Sequence, residues 1–129
     1  MKNAGIVAIA LMLVAATVGI AGAATKKVYY EKPYGQIAYK PKRIDFSDLA
    51  LTRIHWRDWN RKVAWGRGRA RANTCDPTCG SGQIVKGRAH LKMFKRHTEN
   101  GRRMYGCLKG TVKAGGRKLP VEWPPGCAG

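Results

Sequence analysis

The stretch Trp56–Gly82, WRDWNRKVAWGRGRARANTCDPTCGSG, carries the strongest structural pattern in the chain. It holds three of the four tryptophans, a run in which small and large residues alternate, and two cysteines four positions apart. Because successive side chains of a β-strand point to opposite faces, the alternation predicts a strand over residues 63–72. One face carries glycine and alanine, and the other carries Val63, Trp65, Arg67, Arg69 and Arg71.

The glycine and alanine face of this strand has almost no side chains with which to pack, so large rings must cover it. Trp56 and Trp59 are the candidates, and we expect both in the core. Residues 49–56 predict a second strand, which forms a hairpin with residues 63–72 across the turn residues between them. In that strand the alternation places Thr52, Ile54 and Trp56 on the inner face and Leu51, Arg53 and His55 on the other.

Further strands are predicted on both sides of this hairpin. Residues 43–46 form a short strand before it, and residues 84–94 resume the alternation after it. Glu99-Asn100-Gly101 is a turn signal, and residues 103–113 return as the next strand. In this last strand we expect inward Met104, Gly106, Leu108, Gly110 and Val112, and outward Arg103, Tyr105, Lys109 and Lys113.

Together these patterns predict an all-β fold, a meander of five to six short strands that forms a small sandwich or partly closed barrel stapled by disulfides. Residues 1–23 predict a signal peptide, with a basic start, an apolar run and the small residues Ala21-Gly22-Ala23 at the cleavage site. An uncleaved N-terminal anchor is the alternative. We expect a basic, tyrosine-rich arm over residues 24–42 and a single small β domain over residues 43–129, which ends in an irregular tail.

The arm mixes tyrosines with lysines, as in KKVYYEKPYGQIAYKPKR from Lys26 to Arg43. Prolines and a glycine divide it into short pieces, which favours a partly ordered segment with one short edge strand over residues 36–39. The alternative is an arm whose aromatic faces stack on bases or sugar rings beside cations.

Four cysteines, Cys75, Cys79, Cys107 and Cys127, all follow the predicted signal peptide. An even number in a short exported chain indicates two disulfides, for which three pairings exist. Cys75–Cys79 with Cys107–Cys127 is the simplest pairing. A zinc site is the alternative, but it fits poorly because only one pair is close in sequence.

Positive charge dominates the chain, with 25 lysines and arginines against 7 aspartates and glutamates. The alternation places much of this charge on the outward face of three successive strands, which become one basic surface if the strands are neighbours. Arginine suits phosphate and carboxylate groups because its planar guanidinium donates two parallel hydrogen bonds. The predicted binding residues are Arg67, Arg69, Arg71, Lys86, Arg88, Lys92, Arg103 and Lys109.

Catalytic chemistry finds little support in the sequence. The seven acids show no paired spacing, and neither a serine nucleophile motif, a phosphate loop nor an HExxH motif occurs. His55 and His90 lie on outward strand faces and could act as a general acid and base on RNA. Exposed strand histidines without a catalytic role are the simpler interpretation, and the sequence predicts no metal and no cofactor.

The same stretch resembles a family of small secreted bacterial proteins of unknown function. The pattern is close to L-x-x-L-x-W-x-x-W-G, followed by A-x-G-x-G and C-x-P-x-C-A-x-G, and covers residues 43–113. The chain departs from it at Asn60, where the family has Gly, and at Gly80, where Ala is usual. The resemblance implies secretion, a small β domain and a self-contained Cys75–Cys79 pair, but no activity. The residues that match are Leu51, Ile54, Trp56, Trp59, Ala64, Gly66, Gly68, Cys75, Pro77, Cys79 and Gly82.

These observations predict a secreted, non-catalytic and monomeric protein that binds anionic cell-envelope polymers or other polyanions, nucleic acid and anionic lipid included. The alternatives are a secreted ribonuclease or toxin that uses His55 or His90, and a membrane-active cationic protein. The last lacks support because no amphipathic helix is predicted after residue 23.

Overall fold

The computed structural model describes residues 26–75 and 77–128, and every regular element in this part of the chain is a β-strand. The predicted signal peptide lies outside the described residues. Within them, no helix is long and apolar enough to cross a membrane. The strands are β1 (Val28–Glu31), β2 (Ile37–Ala38), β3 (Ile44–Asp45), β4 (Leu49–Arg57), β5 (Ala64–Asn73), β6 (Ile84–Glu99), β7 (Arg102–Ala114) and β8 (Arg117–Trp123).

The strands form one sheet in the order β2-β1-β7-β6-β5-β4-β3, with β8 also paired to β7. The sheet is curled into a half-barrel. Strands β4 to β8 form an antiparallel meander, as predicted, because short turns can join only antiparallel neighbours. The all-β prediction is confirmed, but the described residues contain more strands than the five or six expected.

Strands β1 and β2 come from the predicted arm, residues 24–42, which therefore belongs to the sheet. Strand β1 pairs in parallel with β7, with Val28 opposite Arg103 and Tyr30 opposite Tyr105. Val28 and Tyr30 are almost fully buried. The expectation of a partly ordered arm is therefore wrong for residues 28–31. The pairing joins segments more than 70 residues apart, and an alternation pattern does not encode such long-range partners.

The remaining additional strand comes from the tail, which was expected to be irregular. Gly115 and Gly116 both have positive φ, 59° and 73°, and form a two-residue hairpin turn. β8 then pairs with the C-terminal half of β7, from Ala114 opposite Arg117 to Leu108 opposite Trp123. Pro120 is accommodated because β8 has no described partner on its other edge.

Strand β4 departs from strict alternation at a β-bulge between Thr52 and His55. Arg53 has a φ of 51°, and the extra residue shifts the phase of the strand. Leu51 is fully buried, although it was expected on the outer face, while Ile54 is buried as predicted. The bulge thus brings Leu51 and Ile54 to the same core.

Tyr105 was expected to face outward and is instead 2% exposed. The connection between β4 and β5 covers it, because Trp59 packs edge-on against its ring at 5.0 Å between centroids. Its hydroxyl donates a hydrogen bond to the carbonyl oxygen of Arg61. A loop residue that folds back over a strand is not visible in the strand's own pattern.

The tryptophans of the hairpin form the aromatic part of the core, as predicted for Trp56 and Trp59. Their rings lie 4.9 Å apart. Each indole N–H is satisfied, since Trp56 Nε1 donates to the carbonyl of Pro41 and Trp59 Nε1 to that of Val28, both at 2.7 Å. These bonds hold the connection before β3 and strand β1 against the hairpin.

Two disulfides join Cys75 to Cys79 and Cys107 to Cys127. The first closes the loop after β5, and the second ties the buried middle of β7 to the segment after β8. All four sulfurs are used, so the alternative of a zinc site built on four thiolates is wrong.

Candidate functional site

The outer face of strands β4 to β8 is organised in four rows, each made of residues that lie directly opposite one another on neighbouring strands. We call this surface the basic face. The first row is Arg57, Trp65, Lys92, Lys109 and Glu122; the second is His55, Arg67, His90, Thr111 and Pro120; the third is Thr52, Arg69, Arg88, Lys113 and Lys118; and the fourth is Ala50, Arg71 and Lys86.

Like charges face each other across most of the basic face. Arg69 lies opposite Arg88, Arg88 opposite Lys113, and Lys113 opposite Lys118. Such pairs destabilise a sheet, by up to about 1 kcal/mol each. Glu122 is the single acid in the rows, and Arg57, beside Asp58 at 4.0 Å, is the one cation of the rows with an ion pair among the described residues.

The structure brings seven of the eight predicted binding residues onto the basic face, with Arg103 as the exception. Arg103 lies opposite Thr98 and Val28 at the other end of β7. It lines a separate hollow with Lys26, Lys27 and Arg102. Arg103 shares its strand with Lys109 but not its region of the sheet, because β7 is 13 residues long.

Three cations of the basic face, Arg57, Lys113 and Lys118, were absent from the predicted set. Lys113 was expected to face outward on its strand but was not included among the binding residues. Arg57 continues the outward alternation of β4 after His55, so extending that strand by one residue would have found it. Lys118 was missed because the tail was not recognised as a strand. The Gly115-Gly116 pair was the available signal, since two glycines are typical of a two-residue hairpin turn.

A trench crosses the basic face between the first and second rows, with a volume of about 600 Å³. Its floor is the backbone of the row between them, which consists of Trp56, Gly66, Leu91 and Gly110. The side chains of Trp56 and Leu91 turn towards the core. In a pleated strand, residues two apart lie about 7 Å from each other, which sets the width of the trench. Four neighbouring strands set its length at about 15 Å.

The walls of the trench combine cations, one indole and two imidazoles. Trp65 is 46% exposed, and Lys92 Nζ lies 5.6 Å from the centroid of its ring. His55 and His90 stand on either side of Arg67 in the opposite wall. The third histidine, His97, lies outside the trench, with Nε2 3.4 Å from Glu99 Oε2.

A second, smaller hollow continues the pattern between the third and fourth rows. Arg69, Arg71, Lys86 and Arg88 line it, and the small residues Ala70 and Gly87 form its floor. No histidine and no aromatic residue line it. The two hollows therefore share positive charge, but the histidines and the tryptophan belong to the trench alone.

No known protein family, curated protein or solved structure matches the chain. The resemblance to secreted bacterial proteins of unknown function therefore stays a prediction.

Proposed function

We propose that this protein is a secreted, non-catalytic and monomeric binding protein for polyanions, which it holds on the basic face. The observation that carries the proposal is the set of like-charged cross-strand pairs, among which Glu122 is the single acid of the rows. Cations so placed repel one another in the free protein, and an anionic polymer relieves that repulsion. The two disulfides support an oxidising location, in line with the signal peptide predicted from residues 1–23.

Salt dependence is the test, because a protein that neutralises polymer charges releases the counterions bound to them. We expect the oxidised protein to bind heparin, a phosphate polymer and single-stranded DNA at low salt, with a log Kd that rises steeply and linearly with log salt. Removing one contributing cation lowers that slope by about one. Binding that is equal at low and high salt would overturn the proposal.

Arg88→Gln and Arg43→Gln are the matched pair for this test, since each variant removes one guanidinium. Arg88 lies in the third row between Arg69 and Lys113. Arg43 lies outside the rows and already pairs with Asp45 at 2.9 Å. We expect Arg88→Gln to weaken binding and reduce the salt slope, while Arg43→Gln leaves both unchanged. Equal effects of the two variants would indicate that net charge, and not the basic face, determines binding.

The second candidate is a ribonuclease, and the position of His55 and His90 on both sides of Arg67 favours it. One imidazole would take the proton of the ribose 2′-OH as the 2′ oxygen bonds to phosphorus, and the other would protonate the 5′ oxygen that leaves phosphorus. Incubation of purified protein with RNA, beside a His90→Ala variant, decides this candidate. No cleavage by the unmodified protein, or equal cleavage by both, rules it out.

A further inference from the structure

Three side chains of the second row form a short line across the centre of the trench. His55 on β4 lies directly opposite Arg67 on β5, and Arg67 lies directly opposite His90 on β6. Strands lie about 4.8 Å apart, so the two histidines are about 10 Å apart with the guanidinium between them. All three side chains are exposed. An anion above Arg67 is therefore within reach of both imidazoles.

The opposite wall of the trench adds charge along the same path. Arg57, Lys92 and Lys109 stand there beside Trp65. Gly66 and Gly110 in the floor carry no side chain, and they leave space for a chain to lie close to the sheet. A polymer that runs along the trench meets three cations on this side and Arg67 on the other.

Almost every charged group that faces the two histidines is a cation. His55 faces Arg67 across the sheet and Arg57 two positions along its own strand. His90 faces Arg67 and Thr111 across the sheet, with Arg88 and Lys92 along its own strand. Two acids lie beside the trench, Asp58, which is engaged with Arg57, and Glu122, which lies opposite Lys109 at the end of the first row.

An anion held above Arg67 lies close to both imidazoles and attracts their positively charged form. Binding of the anion and binding of protons then strengthen each other, because such coupling is reciprocal. Histidine is the side chain whose charge ordinarily changes between pH 5 and 8. A ligand binds more tightly to the protonated histidines only if it keeps its own negative charge across that pH range. A phosphodiester does so, and its oxygens suit a guanidinium.

We propose that the trench binds the phosphodiester groups of a linear polymer and takes up protons on His55 and His90 as it does so. This inference rests on the proposed function and assigns a ligand class and a pH dependence to one part of the basic face. The trench is open along its length and longer than a single phosphate, which favours a chain over a free ion.

The test uses the oxidised full-length protein and a fluorescent single-stranded DNA oligonucleotide, which lacks the 2′-OH and is not cleaved by the ribonuclease route. Affinity is measured at pH 8 and pH 5.5 at one ionic strength. We expect binding to be about tenfold tighter at pH 5.5, since a hydrogen bond to a charged group contributes about that factor. The same oligonucleotide should bind a His55→Gln/His90→Gln variant with equal affinity at both pH values.

His97→Gln is the control, because His97 is exposed but lies outside the trench. It should keep the full tenfold gain, and the unfolding curves of both variants should match that of the unmodified chain. A gain that survives in the double variant, or that is absent from the unmodified protein, overturns the inference. A polyglutamate probe that shows the same gain overturns the phosphodiester assignment.

The outcomes separate this inference from the proposed function. Salt-dependent binding without a histidine-dependent pH effect leaves the polyanion proposal intact and rejects the proton-linked trench. Absence of binding to any polyanion at low salt rejects both.

Discussion

Gly66 lies directly against the indole of Trp56, so closely that a Cβ on residue 66 would be 2.7 Å from Trp56 Cζ3. The two residues are opposite each other on β5 and β4. The indole cannot move away freely, because its Nε1 is hydrogen-bonded to the carbonyl of Pro41 and its ring packs against Trp59. This contact explains why position 66 of β5 is a glycine.

Gly66→Ala should therefore destabilise the protein by about 1–3 kcal/mol, the usual cost of adding a methyl group to a packed core. Chemical denaturation followed by tryptophan fluorescence measures it. Gly80→Ala is the control, because its nearest neighbour is Thr78 Oγ1 at 4.0 Å and its φ is not positive. Equal stability of the two variants would contradict the contact.

Trp59 and Trp65 give a second matched pair. Trp59→Phe removes the donor to the Val28 carbonyl and leaves a gap in a site that is 6% exposed, so we expect a loss of about 2 kcal/mol. Trp65→Phe at the surface should change the unfolding free energy by less than about 0.5 kcal/mol. Thermal unfolding of both variants checks this order, and the reverse order would place Trp65 in the core.

Tyr30 and Tyr105 should respond in opposite directions to the loss of their hydroxyl groups at pH 7. The Tyr30 hydroxyl is buried and has no hydrogen-bond partner among the described residues, so Tyr30→Phe should stabilise by about 1 kcal/mol. Tyr105→Phe removes the hydrogen bond to Arg61 and should destabilise by a similar amount. Urea unfolding at pH 7 measures both, and a loss on Tyr30→Phe would reveal a partner for its hydroxyl.

The same two tyrosines predict a loss of stability in alkali. Burial, with a smaller effect from the charge of Glu31, raises the pKa of Tyr30 far above its usual value of 10.0, and burial also raises the pKa of Tyr105. The unfolded chain releases these protons near pH 10 while the folded chain keeps them. Their stabilising effect is therefore complete below about pH 10 and is lost as the pH rises towards the raised values. Tyr30→Phe should reduce the loss measured between pH 9 and 12.

The two disulfides should contribute unequally. Constraint of the unfolded chain predicts about 3 kcal/mol for the loop closed by Cys107 and Cys127, and about 2 kcal/mol for the shorter loop closed by Cys75 and Cys79. Replacing both cysteines of a pair by alanine, one pair at a time, measures each contribution. Replacing Cys107 and Cys127 should cost more stability for a further reason, since Cys107 is fully buried. A larger loss from Cys75 and Cys79 would contradict this order.

Arg88→Glu should increase stability and weaken polyanion binding in the same variant. Its carboxylate would lie between Arg69 and Lys113, so two repulsive pairs become attractive, with a gain of about 1 kcal/mol. Because these charges are exposed, the gain should shrink at high salt. Thermal unfolding at two salt concentrations and a binding titration check both effects. Loss of stability together with binding would indicate a structural role for Arg88.

The amino-acid order alone determines which residues of β5, β6 and the C-terminal half of β7 share a face. A strand's side chains alternate with a period of two, so Arg67, Arg69 and Arg71 share a face wherever the strand is placed. The same local rule predicts the β4–β5 hairpin and the turn at Asn100-Gly101. It also allows a basic surface, provided that the strands are neighbours.

Other features depend on contacts between distant parts of the chain, which a local period does not encode. The parallel pairing of Val28 with Arg103 and the burial of Tyr105 under Trp59 each need a partner that is far away in sequence. The bulge that buries Leu51 depends on the register of β4 against β5. The trench is of this kind too. Its residues come from four strands, and only the register of β4, β5 and β6 places His55, Arg67 and His90 in one row.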